Sequence, residues 1–512
     1  MAAGTTLSRA TGVLRTVALA WAIGVTALGD AYNTANTAPN MIFQLAAGGV
    51  LSSALVPMLV RQDDPRRRAE VVSILLTLTL VIGVIVSVTL AIGAPGIMRV
   101  LTLGARRRPD YEQFLDVGTS WLRMFAPQVA LYAASVFAVG VMQSRGRLRL
   151  AGFAPVVTNV VTIAAAIVFV RAAGGSVPLV GEMDLALLSI LGWGTTLAVA
   201  AMAGLHLWGA ARTEPGLRLV LRPRDPIVTE VARLGGWVVL YVVINQVGYA
   251  LVVVMANTVA GGLTAYQWAF TVMQLPYAIV AVSVYAAAAP GLARAAAAGA
   301  DVSARVGSAA QATCALIVPA ALGLAVLSDR LATSLVGADG ADLVAAGIVG
   351  FAASLVPFAL FQLLVRTCYA YQDARTPARV NVTVNVVNVA AALVVVATAS
   401  SPRARVTGLA LSHAASYLAG TVVLGRRLRR ERALGLAMMR SGASKVVAAT
   451  ALMTAVLAPA AALAPHTSTR IATVAVSALL AAGGASVYLI AARALGVAAP
   501  GLSSVSGRGT PA

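Results

Sequence analysis

The stretch VVSILLTLTLVIGVIVSVTLAIG, Val71–Gly93, carries no charged side chain. As a helix rising 1.5 Å per residue it would be about 35 Å long, enough to cross the roughly 30 Å hydrocarbon core of a bilayer. No water is available there to satisfy free N–H and C=O groups, so a helix is the form such a segment takes on its own. The string RQDDPRRRAE, Arg61–Glu70, stands immediately before it, and charge stops where the apolar run starts.

The pattern recurs on both sides of this stretch. Spans are expected at Gly12–Leu28, Ala35–Val60, Val71–Gly93, Gly118–Gln143, Leu150–Val170, Asp184–Trp208, Thr229–Ala256, Leu263–Pro290, Val306–Leu327, Asp342–Ala370, Val380–Ala397, Val406–Leu424, Val446–Ala462 and Ile471–Ile490. The fold class is therefore an all-α polytopic membrane protein of about fourteen transmembrane helices. Composition agrees: of 512 residues 59% are hydrophobic and 11% charged, with a mean hydropathy of +0.86, outside the range of soluble domains. The first span is read as retained, because Arg15 interrupts the apolar region that a cleaved signal peptide requires.

The net charge of +20 does not mark a nucleic-acid surface, because the basic residues stand between apolar runs. Lys and Arg accumulate in loops on the cytoplasmic side of membranes. An inward N-terminus places most of them there, led by Arg61–Glu70 and Gly425–Arg440, and predicts both termini to be cytoplasmic. Arg106, Arg107 and Arg108 are an external exception, following Gly96–Leu103, which reads as an interfacial helix. The sole lysine, Lys445, among abundant arginines points to GC-rich bacterial coding.

A weak internal duplication is present. Pro57 and Arg61 recur as Pro290 and Arg294, Pro127 as Pro357, and Asn159 as Asn388, at nearly constant offset. The second span thereby maps onto the eighth and the fourth onto the tenth, an even number of helices, so the halves share one orientation. The plan is two pseudo-symmetric six-helix lobes plus two C-terminal helices: an N-lobe over 1–210, a linker over 211–228, a C-lobe over 229–425, a basic loop over 426–445, the last two helices over 446–493 and a short tail over 494–512. Such lobes enclose a site and expose it alternately, unless the duplication built only a stable bundle.

Enzyme chemistry finds little support. His206, His413 and His466 are too scattered for a ligand set, Cys314 and Cys368 lie in apolar stretches, and no phosphate-loop string GxxxxGK[ST] occurs. The chain reads as a transporter without an ATPase motif and without a cofactor, with a monovalent cation or proton as candidate coupling ion. Arg15 lies within the first span, where an unpaired charge costs roughly 2.5–3.5 kcal/mol; it faces a cavity or snorkels to the interface. Arg9 stands six residues earlier and could flank the same cavity. Asp30, in GDAYN, is a cavity candidate or a solvated turn residue. Arg366 either lines a cavity or snorkels. Asn381 and Asn385 share a helix face; with Asn245 they offer neutral oxygens for a cation or, more simply, hydrogen bonds between helices.

The strings themselves carry a resemblance. SRATGVLRTVALAWAIG, then DAYNTANTAPN and GGVLSSALVPML, resembles the first two helices of the MurJ (MviN) family of lipid II flippases, within the multidrug/oligosaccharidyl-lipid/polysaccharide exporter superfamily. FAPQVALYAASVFAVGVMQSRGRLRLAGFAPVVTNVV, AYQWAFTVMQLPYAIVAVSVYAAAAPGLAR, LFQLLVRTCYAYQDARTP and GLALSHAASYLAGTVVLGRRLRR are similar to later helices of that family, in order. The resemblance implies a cationic cavity between two lobes, a groove for the polyprenyl tail on the last two helices, diphosphate binding by Arg9 and Arg15, and an acidic residue at Asp30. It further implies a bacterial cytoplasmic membrane location, lipid II and membrane lipids as partners together with cell-wall synthesis proteins, and a role in peptidoglycan synthesis. Two sources of charge depart from the family pattern: Phe43 and Gln44 stand at its basic positions and Gly48 at its acidic one, and Phe270 and Thr271 replace an Asp-Arg pair. Gln44 and Gln274 are the candidates to compensate, and Asn40 joins them with Asp30 and Arg366 as a cavity or gating candidate. The expected activity is flipping of lipid II by alternating access; the rivals are an exporter of another polyprenyl-linked glycan or of drugs, and a non-transporting scaffold for cell-wall enzymes.

Overall fold

The computed structural model describes residues 2–45, 55–60, 62, 64–147, 149–432, 442–465 and 470–497, with the side chains of 2–6, 9, 10, 57, 230–241 and 470 left undescribed. Two compact units result, Met1–Thr264 and Ala265–Ala512. The first holds α1 (Ala2–Ile23), α2 (Ala27–Leu45), α3 (Val56–Val60), α4 (Pro65–Leu101), α5 (Tyr111–Phe125), α6 (Gln128–Ser144), α7 (Arg149–Ala172), α8 (Leu185–Thr213), α9 (Pro226–Ala256) and the first residues of α10 (Gly262–Pro276). The second continues with a π-helical turn at Tyr277–Ala281, then α11 (Val282–Ala297), α12 (Ser303–Val326), α13 (Ser328–Val336), α14 (Ala341–Ala370), α15 (Arg375–Thr398), α16 (Pro402–Arg432), α17 (Ala443–Leu463) and α18 (Arg470–Ala494).

Among the described residues 11 helical stretches are long and apolar enough to cross a membrane, with α5–α6 and α10–α11 each counting once, and Thr11–Ile23 and Val242–Ala256 add two shorter apolar runs. With α2, which Asn33, Asn36 and Asn40 make too polar to score, they account for the fourteen spans expected.

Two boundaries differ from the sequence reading. Gly24 adopts φ +62, a left-handed conformation that costs glycine little, and ends α1; the Thr26 hydroxyl then accepts the Gly29 N–H at 3.3 Å, so α2 starts at Ala27. Asp30 therefore lies in the first turn of α2 instead of capping the first span. Likewise Gly96–Leu103 is no separate interfacial helix. α4 runs through Pro95 to Leu101, because Ala94, Met98 and Leu101 are buried in the core of the first unit and packing there outweighs the one hydrogen bond that proline removes.

Small residues set the helix spacing, as they do where lipid offers no hydrophobic drive between helices. In the second unit a Cβ placed on Gly350 of α14 would stand 2.7 Å from the Thr407 carbonyl oxygen of α16; only glycine allows that approach. In the first unit Gly83 of α4 meets the Ala130 backbone of α6 just as closely. Aromatic residues fill the centre of the first unit, where Tyr32 stands edge-on to Trp121 and Phe125 at 5.5 and 5.4 Å.

The units also share an internal arrangement. Ser135 of α6 bonds His206 of α8 at 2.6 Å, and Ser354 of α14 bonds His413 of α16 at 2.5 Å. Each pair joins the fourth and sixth spans of its own half, as a duplication would place it. Arg61 and Gly48 lie outside the described residues.

Candidate substrate-binding site

α2 carries a polar stripe, Asn33, Asn36, Asn40 and Gln44, spaced by three and four residues along one side. Asn33 donates to the Thr264 hydroxyl at 3.0 Å and Asn40 to the Asn36 carbonyl of its own helix at 2.8 Å. The Asn36 side-chain oxygen is buried with no partner among the described residues, and Gln44 is exposed.

Arg15 of α1 is half-buried, and its Nε is sealed from solvent with no acceptor among the described residues. Phe43, which stands where the resembled family is basic, packs on Tyr132 with ring centroids 4.6 Å apart. The side chain of Arg9, on the same helix, lies outside the described residues.

Asp30 is fully buried, so the solvated-turn alternative fails. Its Oδ2 accepts the Gly261 N–H at 2.7 Å, and its Oδ1 accepts both the N–H and the hydroxyl of Thr264 at 2.9 Å. The carboxylate thereby caps the start of α10, where free N–H groups favour negative charge. Arg108 brings Nη1 to 3.6 Å from Asp30 while holding Asp110 through Nε and Nη2 at 3.0 and 2.7 Å. The reading of the sequence missed Arg108, although the external arginines that broke the loop-charge pattern were its signal.

In the second unit an apolar groove of about 420 Å³ opens between α12, α17 and α18, walled by Leu316, Gly323, Leu324, Leu457, Gly484 and Tyr488. The Tyr488 hydroxyl donates to the Ala315 carbonyl, so even the polar tip on that wall is satisfied. Arg330 of α13 donates to the carbonyls of Ala461, Ala464 and Pro465, fixing the end of α17 that bounds the groove.

The remaining candidates scatter. Gln274 is half-buried on α10 and Arg366 is exposed on α14, where its guanidinium lies 5.1 Å from the Tyr285 ring centre. Asn381 is buried with its side-chain nitrogen unpartnered among the described residues, and Asn385 donates to the Asn381 carbonyl at 2.9 Å. Asn245 belongs to the first unit and Asn381 and Asn385 to the second. Thr271 bonds within its own helix at 2.9 Å, and Phe270 packs on Phe351 at 5.3 Å. Among the described residues no group of three His, Cys, Asp or Glu could hold a metal.

At the opposite end of the first unit from Asp30, Arg68 is buried and bonds Glu214 at 2.5 Å, Ser144 at 2.6 Å and the Leu59 carbonyl; Arg145 adds a second contact to Glu214 at 3.0 Å. Burial works against ionisation of Glu214, but the bonds from Arg145 and Arg68 outweigh it and hold the carboxyl below its ordinary range.

These features define a polytopic membrane transporter with the fold of the multidrug and polysaccharide exporters. A structure titled as an inward-facing multidrug resistance MATE transporter of the MOP superfamily overlays with a TM-score of 0.67 at 13% identity, over 85% of this chain and 96% of that one. One titled "Lipid II flippase MurJ, inward closed conformation" overlays with a TM-score of 0.76 at 16% identity, over 96% and 98%. The chain belongs to the family described as lipid II flippase MurJ, whose model matches residues 19–481. Relatives include the lipid II flippase MurJ of Burkholderia cenocepacia, 25% identical over 75% of this chain and 74% of that protein, and a probable lipid II flippase MurJ of Rhizobium meliloti, 28% identical over 75% and 72%.

Proposed function

We propose that this protein moves lipid II, a polyprenyl-diphosphate-linked sugar, from the inner to the outer leaflet of a bacterial cytoplasmic membrane, with both termini in the cytoplasm. The carrying observation is Arg15: a guanidinium half-buried within a membrane span, its Nε without a protein acceptor among the described residues. Such a charge is costly in a bilayer, and a diphosphate is the acceptor that a planar guanidinium fork matches. Arg9 adds a second cation from the same helix. The apolar groove in the second unit suits a polyprenyl chain, which its aliphatic walls can hold by close packing. The Asp30 clamp on α10 holds the external end shut while the headgroup loads, and its release opens that end. Two lobes of six helices plus the groove pair α17–α18 perform the alternation, powered by an ion gradient, the membrane potential or substrate supply, and cell-wall synthesis proteins take up the product.

The test is flipping of a fluorescent lipid II analogue by the reconstituted protein. Arg9→Ala with Arg15→Ala should abolish it; an undiminished rate would refute diphosphate binding by these two arginines. The aromatic contact of Phe43 with Tyr132 favours one further reading, a polyprenyl-linked glycan with a less charged headgroup. Native mass spectrometry with mono- and diphosphate lipids in competition separates the two.

A further inference from the structure

Between α8 and α9 the chain reads LRLVLR, Leu217–Arg222, and it lies outside any helix. It is laid along α4 by two bonds of one kind: the Arg218 N–H donates to the Ser73 hydroxyl at 3.1 Å and the Val220 N–H to the Thr77 hydroxyl at 2.8 Å. The spacings match, since four helical residues advance about 6 Å and two extended residues about 6.6 Å. Each hydroxyl also donates to a carbonyl of its own helix, so both are satisfied, and α4 is buried from Val71 to Thr77.

Alternation in an extended chain then sorts the side chains into two rows. One row is Leu217, Leu219 and Leu221; the other is Arg218, Val220 and Arg222. Leu217 packs against the core of the first unit, but Leu219 and Leu221 are 75% and 61% exposed. Arg218, Arg222 and Arg224 are exposed too. The nearby acids are already engaged: Glu214 by Arg68 and Arg145, Asp225 by Arg67, and Glu70 by Arg67 and Arg222. Among the described residues Arg218 and Arg224 therefore have no acidic partner.

An irregular backbone cannot face the hydrocarbon core, and exposed leucines do not favour bulk water. The level between them is the headgroup boundary. Trp208 marks that level one turn from the end of α8, half-exposed with Arg212 stacked 4.4 Å from its ring centre, as interfacial tryptophans do. We propose that Leu217–Arg224 is an interfacial anchor that inserts Leu219 and Leu221 among acyl chains and binds anionic phospholipid headgroups through Arg218 and Arg224. The inference needs only that the chain spans a bilayer; it does not depend on the substrate or the direction of transport.

The test places an NBD fluorophore on Leu219→Cys, or on Ala300→Cys in the exposed loop between α11 and α12, in full-length protein carrying Cys314→Ala and Cys368→Ala. In vesicles of phosphatidylcholine and phosphatidylglycerol, the label at 219 should be quenched by doxyl-labelled lipid and spared by aqueous iodide, with the reverse at 300. In parallel, native mass spectrometry should show phosphatidylglycerol retained over phosphatidylcholine. With about 1 kcal/mol per arginine at an anionic surface, Arg218→Gln with Arg224→Gln should cut that preference about tenfold or more. A label at 219 as open to iodide as that at 300 overturns the anchor. So does shielding seen only in native membranes, which would mean a protein partner. Unchanged lipid preference in the double variant overturns the anionic recognition.

Discussion

Replacing Asp30 by asparagine conserves volume and removes the chemistry of the proposed clamp. All three groups that approach the carboxylate within hydrogen-bond distance are donors: the Gly261 N–H on one oxygen, the Thr264 N–H and hydroxyl on the other. An amide offers one oxygen. Turned toward Thr264, it sets its NH2 against the Gly261 N–H in a contact now 2.7 Å long; turned the other way, it loses the Thr264 N–H bond and forces the hydroxyl to rotate. At least one bond to a charged group disappears, roughly 1.5–3 kcal/mol, and a buried donor is stranded. The attraction from Arg108 at 3.6 Å is lost as well. A net loss of about 2–4 kcal/mol shifts the closed-to-open ratio about 30-fold or more. Val259, buried in the loop that Asp30 holds, serves as reporter: Val259→Cys in a background lacking Cys314 and Cys368 should react with an impermeant maleimide at least that much faster when Asp30→Asn is added. Equal labelling rates with equal thermal stability would refute the clamp.

Three further outcomes are expected. Arg68→Met leaves Glu214 buried with only the partly exposed Arg145, so the first unit should lose about 3–5 kcal/mol, read as a lower unfolding temperature, whereas Arg145→Gln should cost less than about 1 kcal/mol. Because the folded carboxyl of Glu214 is held below its unfolded value, this stability is present above the ordinary carboxylate range and lost as pH falls through the folded value; the acid-side difference in unfolding temperature between the parent and Glu214→Gln should shrink there. Gly323→Phe enters open space in the groove, where a Cβ meets nothing within 4 Å, so folding should hold while transport of long-chain substrates falls and short-chain analogues pass.

Much of the fold was legible in the residues because bilayer length and backbone satisfaction leave few options for runs such as Val71–Gly93. The errors arose where local cues lost to packing. The third span was expected to end at Gly93, yet the burial of Ala94 and Met98 carries α4 onward to Leu101. The second span was expected to start at Ala35, yet α2 is helical from Ala27, where polar groups such as Asn33 bond to neighbours such as Thr264. The site was less legible. Arg15 stood out as a charge in a span, but nothing local to Asp30 announces Arg108, 78 residues away, or the N–H groups of Gly261 and Thr264. Such partners are set by tertiary packing, which no spacing rule reaches. The Arg68 cluster was hidden likewise: its arginine sits in a run that reads as an ordinary loop-charge signal.

The double grip of Arg108 has a mechanical consequence. Its two close bonds go to Asp110, and only the longer contact reaches Asp30. When Asp30 departs, the guanidinium keeps a full counter-ion, and no bare cation is left behind in a dry pocket. If Asp30 forms the clamp proposed above, the electrostatic cost of unlatching falls on the carboxylate alone, and re-engagement finds the arginine already held by Asp110.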